Sequence, residues 1–236
     1  MKKPKVAVVT GGGQGIGKAI CEAFVEQGMV VCTIDIKDND YFVGDIADEN
    51  ILRQFASKVI SEYGTVDFLI NNACISRGGL TNCSFDDFNY VLHVGVSAPF
   101  LLSQMFMQHF TKQASIVNIS STRHLMSQAN TESYTAAKGA ITALTHAMAV
   151  TLAGKVRVNS ISPGWIDTTN SQFEGSDANQ HPVGRVGTPS DIVNAVMFLC
   201  DQKSSFITGQ DITVDGGMTK QMIYHNDWGW SYNPEM

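Results

Sequence analysis

The sequence predicts an α/β fold: one domain built on a doubly wound parallel sheet with helices on both faces. Three observations predict it. Apolar runs of strand length alternate with helical patterns almost throughout, the signature of successive βα units. The strand candidates are near-continuous Val/Ile runs, as strands buried on both faces should be. No internal repeat, low-complexity tract or linker interrupts the series, which leaves one domain.

In chain order, KVAVVT (5–10) reads as a strand and 16–27 as a helix. MVVCTID (29–35) is a strand and 49–64 a helix. VDFLINNA (66–73) is a strand, followed by one long helix over 85–110. ASIVNISS (114–121) is a strand and 133–154 a helix. VRVNSISPG (156–164) is a strand, then a polar stretch, a helix over 189–202 and a last short strand over 211–217. Ligands of such sheets bind beyond the carboxyl ends of the strands.

Composition narrows the function. The chain has 236 residues, 44% hydrophobic and 16% charged, which suits a soluble globular protein with a sizeable core. Its net charge of -6 argues against a nucleic-acid partner, which normally demands a basic patch. No apolar run approaches the roughly 20 residues that span a bilayer, and MKKPKVAVV is too short for a signal segment, so no membrane association is expected. The five cysteines, Cys21, Cys32, Cys74, Cys83 and Cys200, are scattered and form no CxxC, which fits reduced thiols in the cytoplasm. The six histidines do not cluster with acids at ligand spacing, so a metal mechanism has no support.

The stretch TGGGQGIG (10–17) lies between the first strand and the first helix. Glycine there permits positive φ and lets a backbone approach a pyrophosphate, while the helix start offers free N–H groups and a positive dipole end. About 20 residues on, Asp35 ends the second strand, where a carboxylate can bind adenosine ribose hydroxyls. Strand, glycine loop, helix and acid in that order predict a Rossmann-type dinucleotide site. Asp35 repels a 2′-phosphate and the loop holds Gln14 rather than a basic residue, so NAD is favoured over NADP; Lys37 is the counter-signal.

Tyr134 and Lys138 lie four residues apart on a predicted helix and so share a face. A phenol ordinarily ionises near pH 10, and a neighbouring ammonium lowers that value, which suits proton transfer to or from an alcohol oxygen. On spacing alone, a surface Tyr and Lys would explain the pair as well.

The order TGGGQGIG, Asp35, NNAC, NISS, YTAAK, SPGWIDT resembles the classical short-chain dehydrogenase/reductase family, from about Val6 to Gly217. The resemblance implies Tyr134 as general acid/base, Lys138 depressing its pKa and binding the nicotinamide ribose, and Ser121, 13 residues before Tyr134, holding the reacting oxygen, with Ser120 the weaker candidate. It assigns Gly11, Gln14, Gly15, Ile16 and Gly17 to the cofactor phosphates and Asp45 and Ile46 to the adenine. Asn72 and Ala73, within NNAC, fall to the adenosine side, with Cys74 in place of the usual glycine. Pro163, Gly164, Ile166 and Thr168 fall to the turn facing the nicotinamide. Asn118 matches a structural strand residue. The implied reaction is hydride transfer between NAD(H) and a secondary alcohol or ketone, and the implied assembly is a homotetramer. An enoyl-thioester reductase normally has a wider Tyr–Lys spacing.

The sequence departs from the family in three places. Gly95 stands where an asparagine usually holds the water that connects the lysine to solvent. An alternative function is therefore a non-catalytic NAD-binding module with an impaired relay; His93 should point elsewhere. Only about ten residues separate Asp35 from Asp45, where many relatives carry a helix. Beyond a nucleotide-binding domain over 1–217, the stretch 218–236 forms an aromatic-rich tail with Tyr224, Trp228, Trp230 and Tyr232, expected to pack on a neighbouring subunit. Substrate choice falls to the stretches 122–130 after Ser121 and 165–184 after Gly164, the second a short lid region; there Arg123 and His124 are candidates for a polar or anionic group, Trp165 and Met126 for an apolar wall, and His181 and Arg185 for structural contacts.

Overall fold

A computed structural model describes residues 3–233. The outermost residues of the two ranges 1–217 and 218–236, namely 1–2 and 234–236, lie outside the described residues. The elements are β1 (Val6–Thr10), α1 (Gly15–Glu26), β2 (Val30–Asp35), β3 (Phe42–Val43), α2 (Glu49–Tyr63), β4 (Val66–Asn71) and α3 (Phe85–Leu92). After a π turn at His93–Ser97 come α4 (Ala98–Phe106), β5 (Phe110–Ile119), α5 (Glu132–Thr151), β6 (Val156–Pro163), α6 (Ser176–Asn179), α7 (Pro189–Cys200) and β7 (Asp211–Val214).

The seven strands form one sheet in the order β3-β2-β1-β4-β5-β6-β7, every neighbouring pair parallel. From β1 the chain winds outward first on one side and then on the other, so the order reverses between β1 and β4, the switch point where such sheets open a crevice. The register brings the strand ends level there: Thr10 pairs with Asn71, Asn71 with Asn118 and Asn118 with Ser160.

The period-two alternation of a strand divides β1 between two cores. Val6 and Val8 join Phe55, Leu102 and Phe106 beneath α2 and α4. Ala7 and Val9 join Phe24, Ile192 and Leu199 beneath α1 and α7. Local signals set the helix ends. The Asp48 side chain accepts from the Asn50 N–H at 2.8 Å and caps α2, which stops at Gly64 with φ 76°; Thr188 and Asp191 form a capping box for α7.

Three elements differ from the sequence reading. The predicted long helix over 85–110 is two helices around the π turn; it ends at Phe106, and Phe110 already belongs to β5. Val94 and Val96 are β-branched and flank Gly95, the poorest non-proline helix former, so a widened turn is least costly there. Omitting a side chain at 95 lets this turn lie against α5: a Cβ on Gly95 would stand 3.0 Å from the Ala137 Cβ. The short strand β3 and the single-turn α6 lack any hydrophobic period long enough to read. β3 is made by Asn39, whose side chain accepts from the Tyr41 and Phe42 N–H groups and donates to the carbonyls of Lys37 and Phe42.

Phe55 is fully buried and meets Tyr41 and Phe42 edge-on, with centroids 6.0 and 5.5 Å away. Phe55→Ala is expected to lower unfolding stability by about 3–5 kcal/mol, read as a drop in the urea midpoint. A loss under about 1 kcal/mol would contradict this packing.

Candidate active site

The glycine loop is tied to the end of β4. Thr10 Oγ1 accepts the N–H groups of Asn72 and Ala73, both at 3.1 Å, and Asn72 Nδ2 donates to the carbonyls of Thr10 at 3.1 Å and Gly11 at 3.0 Å. Gly11 sits at φ 69°. Gly17 has no room for a side chain: a Cβ would lie 2.0 Å from the Gly11 carbonyl oxygen. The helix α1 that follows has no side-chain cap and no acid in its first turn. Its first N–H groups are therefore left without the capping partner that α2 and α7 have, and a pyrophosphate is the group they fit.

Asp35 is buried at the end of β2, its carboxylate accepting the N–H of Gly13 at 2.8 Å and of Lys37 at 2.9 Å. Each oxygen retains lone pairs for a further donor. Lys37 is not a free surface charge; its ammonium donates to the Gln14 side chain at the rim of the same loop. Asp45 accepts from the Ala47 N–H and from the Tyr90 hydroxyl, both at 2.9 Å, and burial, with that carboxylate beside it, pushes the Tyr90 phenol up.

A cavity of about 480 Å³ runs between these groups. Eleven residues read from the sequence line it: Gly11, Gln14, Gly15, Ile16, Gly17, Asp35, Asp45, Ile46, Asn72, Ala73 and Thr168. The sequence reading missed Ile36, Ile75, Tyr90, Val94 and Thr169 as lining residues, and took Cys74 only as a replaced glycine. Tyr90 and Val94 lie four apart across the end of α3, so a shared helix face was the signal available for them.

A second cavity, of about 590 Å³, adjoins Tyr134. It brings together Ser121, Tyr134 and Gly164 with Arg123 and Trp165; Thr122, Gln128 and Gln180 come from the stretches after Ser121 and Gly164 that the sequence places around the substrate, while Ser76, Thr131 and Met218 were not singled out. Lys138, Pro163 and Ile166 line neither cavity. Lys138 is buried, Pro163 ends β6, and Ile166 forms a backbone bridge with Gly187 while packing toward the α1–α7 core.

The two serines after β5 separate cleanly. Ser120 Oγ donates to the Lys138 carbonyl at 3.0 Å and meets Thr142 Oγ1 at 2.8 Å, a structural tie between β5 and α5. Ser121 instead faces the cavity, its hydroxyl accepting the Arg123 N–H at 3.2 Å. Lys138 Nζ donates to the Ile119 carbonyl at 2.7 Å and stands 5.3 Å from the centroid of the Tyr134 ring. Burial pushes the Tyr134 phenol above its ordinary value, against the lowering by the Lys138 ammonium, the Ser121 hydroxyl and Arg123. The sequence argument counted the ammonium and not the desolvation, which acts in the opposite direction and is larger.

Of the remaining candidates, His124 turns away from the cavity. Its Nδ1 lies 2.7 Å from the Ser121 carbonyl and 3.2 Å from Ser162 Oγ, and its Nε2 lies 3.7 Å from Asp211. Met126 is exposed outside both cavities. His181 is buried with Nδ1 near the Asp177 carbonyl, and Arg185 grips Asp191 through two bonds of 2.7 Å, both structural as read. His93 is exposed. Asn118 accepts from Asn71 at 2.8 Å and donates to Thr145 at 2.9 Å, wholly buried. Among the described residues no group of three His, Cys, Asp or Glu side chains is placed to hold a metal ion.

Comparison with known proteins agrees with this geometry. A family model described as enoyl-(acyl carrier protein) reductase matches residues 11–219. An uncharacterized oxidoreductase of Thermotoga maritima is 40% identical over 254 residues, covering 95% of this chain and 99% of its own length. Among solved structures, an apo SCOR enzyme from Clostridium thermocellum is 43% identical with a TM-score of 0.90, covering 99% of this chain and 100% of its own. A 4-hydroxyisoleucine dehydrogenase complexed with NADH is 30% identical with a TM-score of 0.84, covering 92% and 100%.

Gly17→Ala forces the loop and the start of α1 apart. The expected result is a loss of affinity for the reduced nicotinamide dinucleotide, NADH or NADPH, of about tenfold or more, from about 1.4 kcal/mol of lost binding free energy, in a protein that keeps its far-UV circular dichroism. Unchanged affinity in a fluorescence titration would show that the close approach at Gly17 does not shape the binding site.

Proposed function

The chain belongs to the short-chain dehydrogenase/reductase family, and on that premise we propose that it is an NAD-dependent dehydrogenase of secondary alcohols and ketones with Tyr134 as its general acid/base. The carrying observation is the placement of Tyr134 and Ser121 on one cavity with the Lys138 ammonium against the Tyr134 ring. A bound nicotinamide would supply the hydride acceptor or donor. In the oxidation, the Tyr134 phenolate takes the proton of the substrate hydroxyl while Ser121 donates a hydrogen bond to the same oxygen. In the reduction, the phenol returns that proton. Lys138 favours the phenolate by charge. One of its three N–H bonds goes to Ile119, and the others are free to hold the nicotinamide ribose.

For the rest of the cofactor, the uncapped start of α1 with Gly11, Gln14, Gly15, Ile16 and Gly17 takes the pyrophosphate. Asp35 takes the adenosine ribose, Asp45 and Ile46 the adenine, and Asn72 and Ala73 the adenosine side. Pro163, Gly164, Ile166 and Thr168 take the nicotinamide end. Asp35 carries the preference for NAD, because a buried carboxylate repels a 2′-phosphate, while Lys37 is engaged with Gln14. The four-residue Tyr–Lys spacing supports a carbinol or ketone substrate over an enoyl thioester. Gly95 lies against Ala137 and offers no side chain to hold a water beside Lys138.

We also place the protein in the cytoplasm as a homotetramer. All five cysteines are free, which supports a reducing compartment, and among the described residues no helix is long and apolar enough to cross a membrane. Phe206, Trp228, Tyr224 and Tyr232 are exposed, large apolar surface of the kind that neighbouring subunits cover.

Pooled secondary alcohols with NAD are expected to yield reduced nicotinamide, and Tyr134→Phe is expected to abolish that turnover while still binding NADH. NAD binding with no turnover of alcohols or of the matching ketones would instead favour a nucleotide-binding module. Asp35→Ala is expected to erode the preference for NAD over NADP by about tenfold or more, read as the ratio of kcat/KM for the two cofactors; an unchanged ratio would remove Asp35 from the selectivity. Truncation after Gly217 is expected to shift the light-scattering mass of the assembly or to expose new apolar surface to a dye. Neither change would show that the tail packs on no neighbour.

A further inference from the structure

The cavity beside Tyr134 contains a charge that no acid among the described residues pairs with. Apart from Tyr134 itself, its lining is neutral except at Arg123: Ser76, Thr122, Gln128, Thr131 and Gln180 are polar, and Trp165 and Met218 are apolar. No carboxylate lines it, and among the described residues Arg123 forms no ion pair with any acid.

The guanidinium is nonetheless held in place. It donates from Nη1 to Thr131 Oγ1 at 3.4 Å and from Nη2 to the Gln128 side chain. Both acceptors are neutral and both line the cavity. A guanidinium has five N–H donors in a rigid fork, so these two bonds leave three unused and fix the plane in which they point. The main-chain N–H of Arg123 meanwhile donates to Ser121 Oγ. The same residue thus holds the Ser121 hydroxyl with its backbone and borders the second cavity with its charge.

We propose that Arg123 binds the carboxylate of the substrate, and that the enzyme therefore acts on secondary hydroxy acids and their keto acids. This rests on the dehydrogenase reading above. A single guanidinium matches a single carboxylate in charge and in its paired hydrogen bonds. A phosphoryl group carries about -1.5 to -2 and is usually met by several cations or a nest of backbone N–H groups, which this lining does not offer. The neutral partners matter as well. An acid paired with Arg123 would have to be displaced before a carboxylate could bind, whereas Gln128 and Thr131 orient the fork without occupying its charge.

The test has a binding arm and a turnover arm. In the first, β-, γ- and δ-hydroxy acids and their uncharged carboxamides are titrated by calorimetry into Tyr134→Phe protein with NAD present, so that no turnover interferes. At least one acid is expected to bind about tenfold or more tighter than its amide, and adding Arg123→Gln is expected to bring that ratio to about one. Arg123→Lys, which keeps the charge and loses the fork, is expected to fall between. In the second arm, wild-type protein is expected to show the same preference in kcat/KM; the ratio cancels any effect of Arg123 on the Tyr134 proton. Binding of no acid, equal binding of acid and amide, or a preference that survives Arg123→Gln would overturn the carboxylate site. Selective, Arg123-dependent binding with no wild-type turnover of the bound acid would uphold that site and overturn the dehydrogenase reading.

Discussion

The buried ammonium of Lys138 is the constraint around which the rest is arranged. Its residue is 5% exposed, and its Nζ donates to the carbonyl of Ile119, the last residue of β5. A buried cation without a carboxylate beside it is costly, and the fold meets that cost by fixing both sides of the contact. Ser120 ties the next residue of the chain to the Lys138 carbonyl, and Thr145, two turns farther along α5, takes a hydrogen bond from Asn118 inside β5. Helix and strand are thus pinned above and below the charge. Tyr134, one turn earlier on the same helix face, can only meet the ammonium.

That local arrangement depends on the register of the sheet. Parallel strands buried on both faces are apolar along their length, yet here the residues nearest the carboxyl ends of β1, β4, β5 and β6 are polar and buried: Thr10, Asn71, Asn118, Ser160 and Ser162. Each has a partner on a neighbouring strand or on the element packed over it. Asn71 reaches Asn118, and Ser160 and Ser162 share Asp211 Oδ1 at 2.6 and 2.8 Å. A slip by one residue would turn every one of them to the wrong face. The polar ends therefore lock the register that sets the glycine loop beside Asn72, and the cavity lined by that loop opens where the strand order reverses.

Much of this was legible in the sequence, and the exceptions share a cause. Strand runs such as VAVVT and ASIVNI announce themselves because burial on both faces demands a continuous apolar string, and the glycine loop announces itself because Gly17 can be nothing else beside the Gly11 carbonyl. The break at His93–Ser97 was hidden, since HVGVS carries the same helical period as its neighbours and only the contact with Ala137 shows why it widens. The lining of the second cavity was hidden too. Ser76 and Met218 lie far from the stretches after Ser121 and Gly164 that hold Gln128 and Gln180, and nothing in their spacing joins them. His124 looked like a pocket residue from its distance to Ser121, but the turn at Thr122–His124 carries consecutive side chains in different directions. Arg123 goes to the cavity and His124 toward Asp211. The proton affinity of Tyr134 was misjudged for a related reason, because desolvation is a property of the packed site and not of the pair.

The most direct test of the Lys138 constraint is a titration of the Tyr134 phenol by NMR, using ring-labelled tyrosine and Tyr134→Phe to assign the signal, in wild-type protein and in Lys138→Met. The ammonium favours the phenolate against a burial that raises the pKa, so its removal should move the titration of Tyr134 to still higher pH. A Tyr134 that titrates at the same pH in both proteins would contradict the account, because the buried charge would then do nothing for the phenol it stands beside.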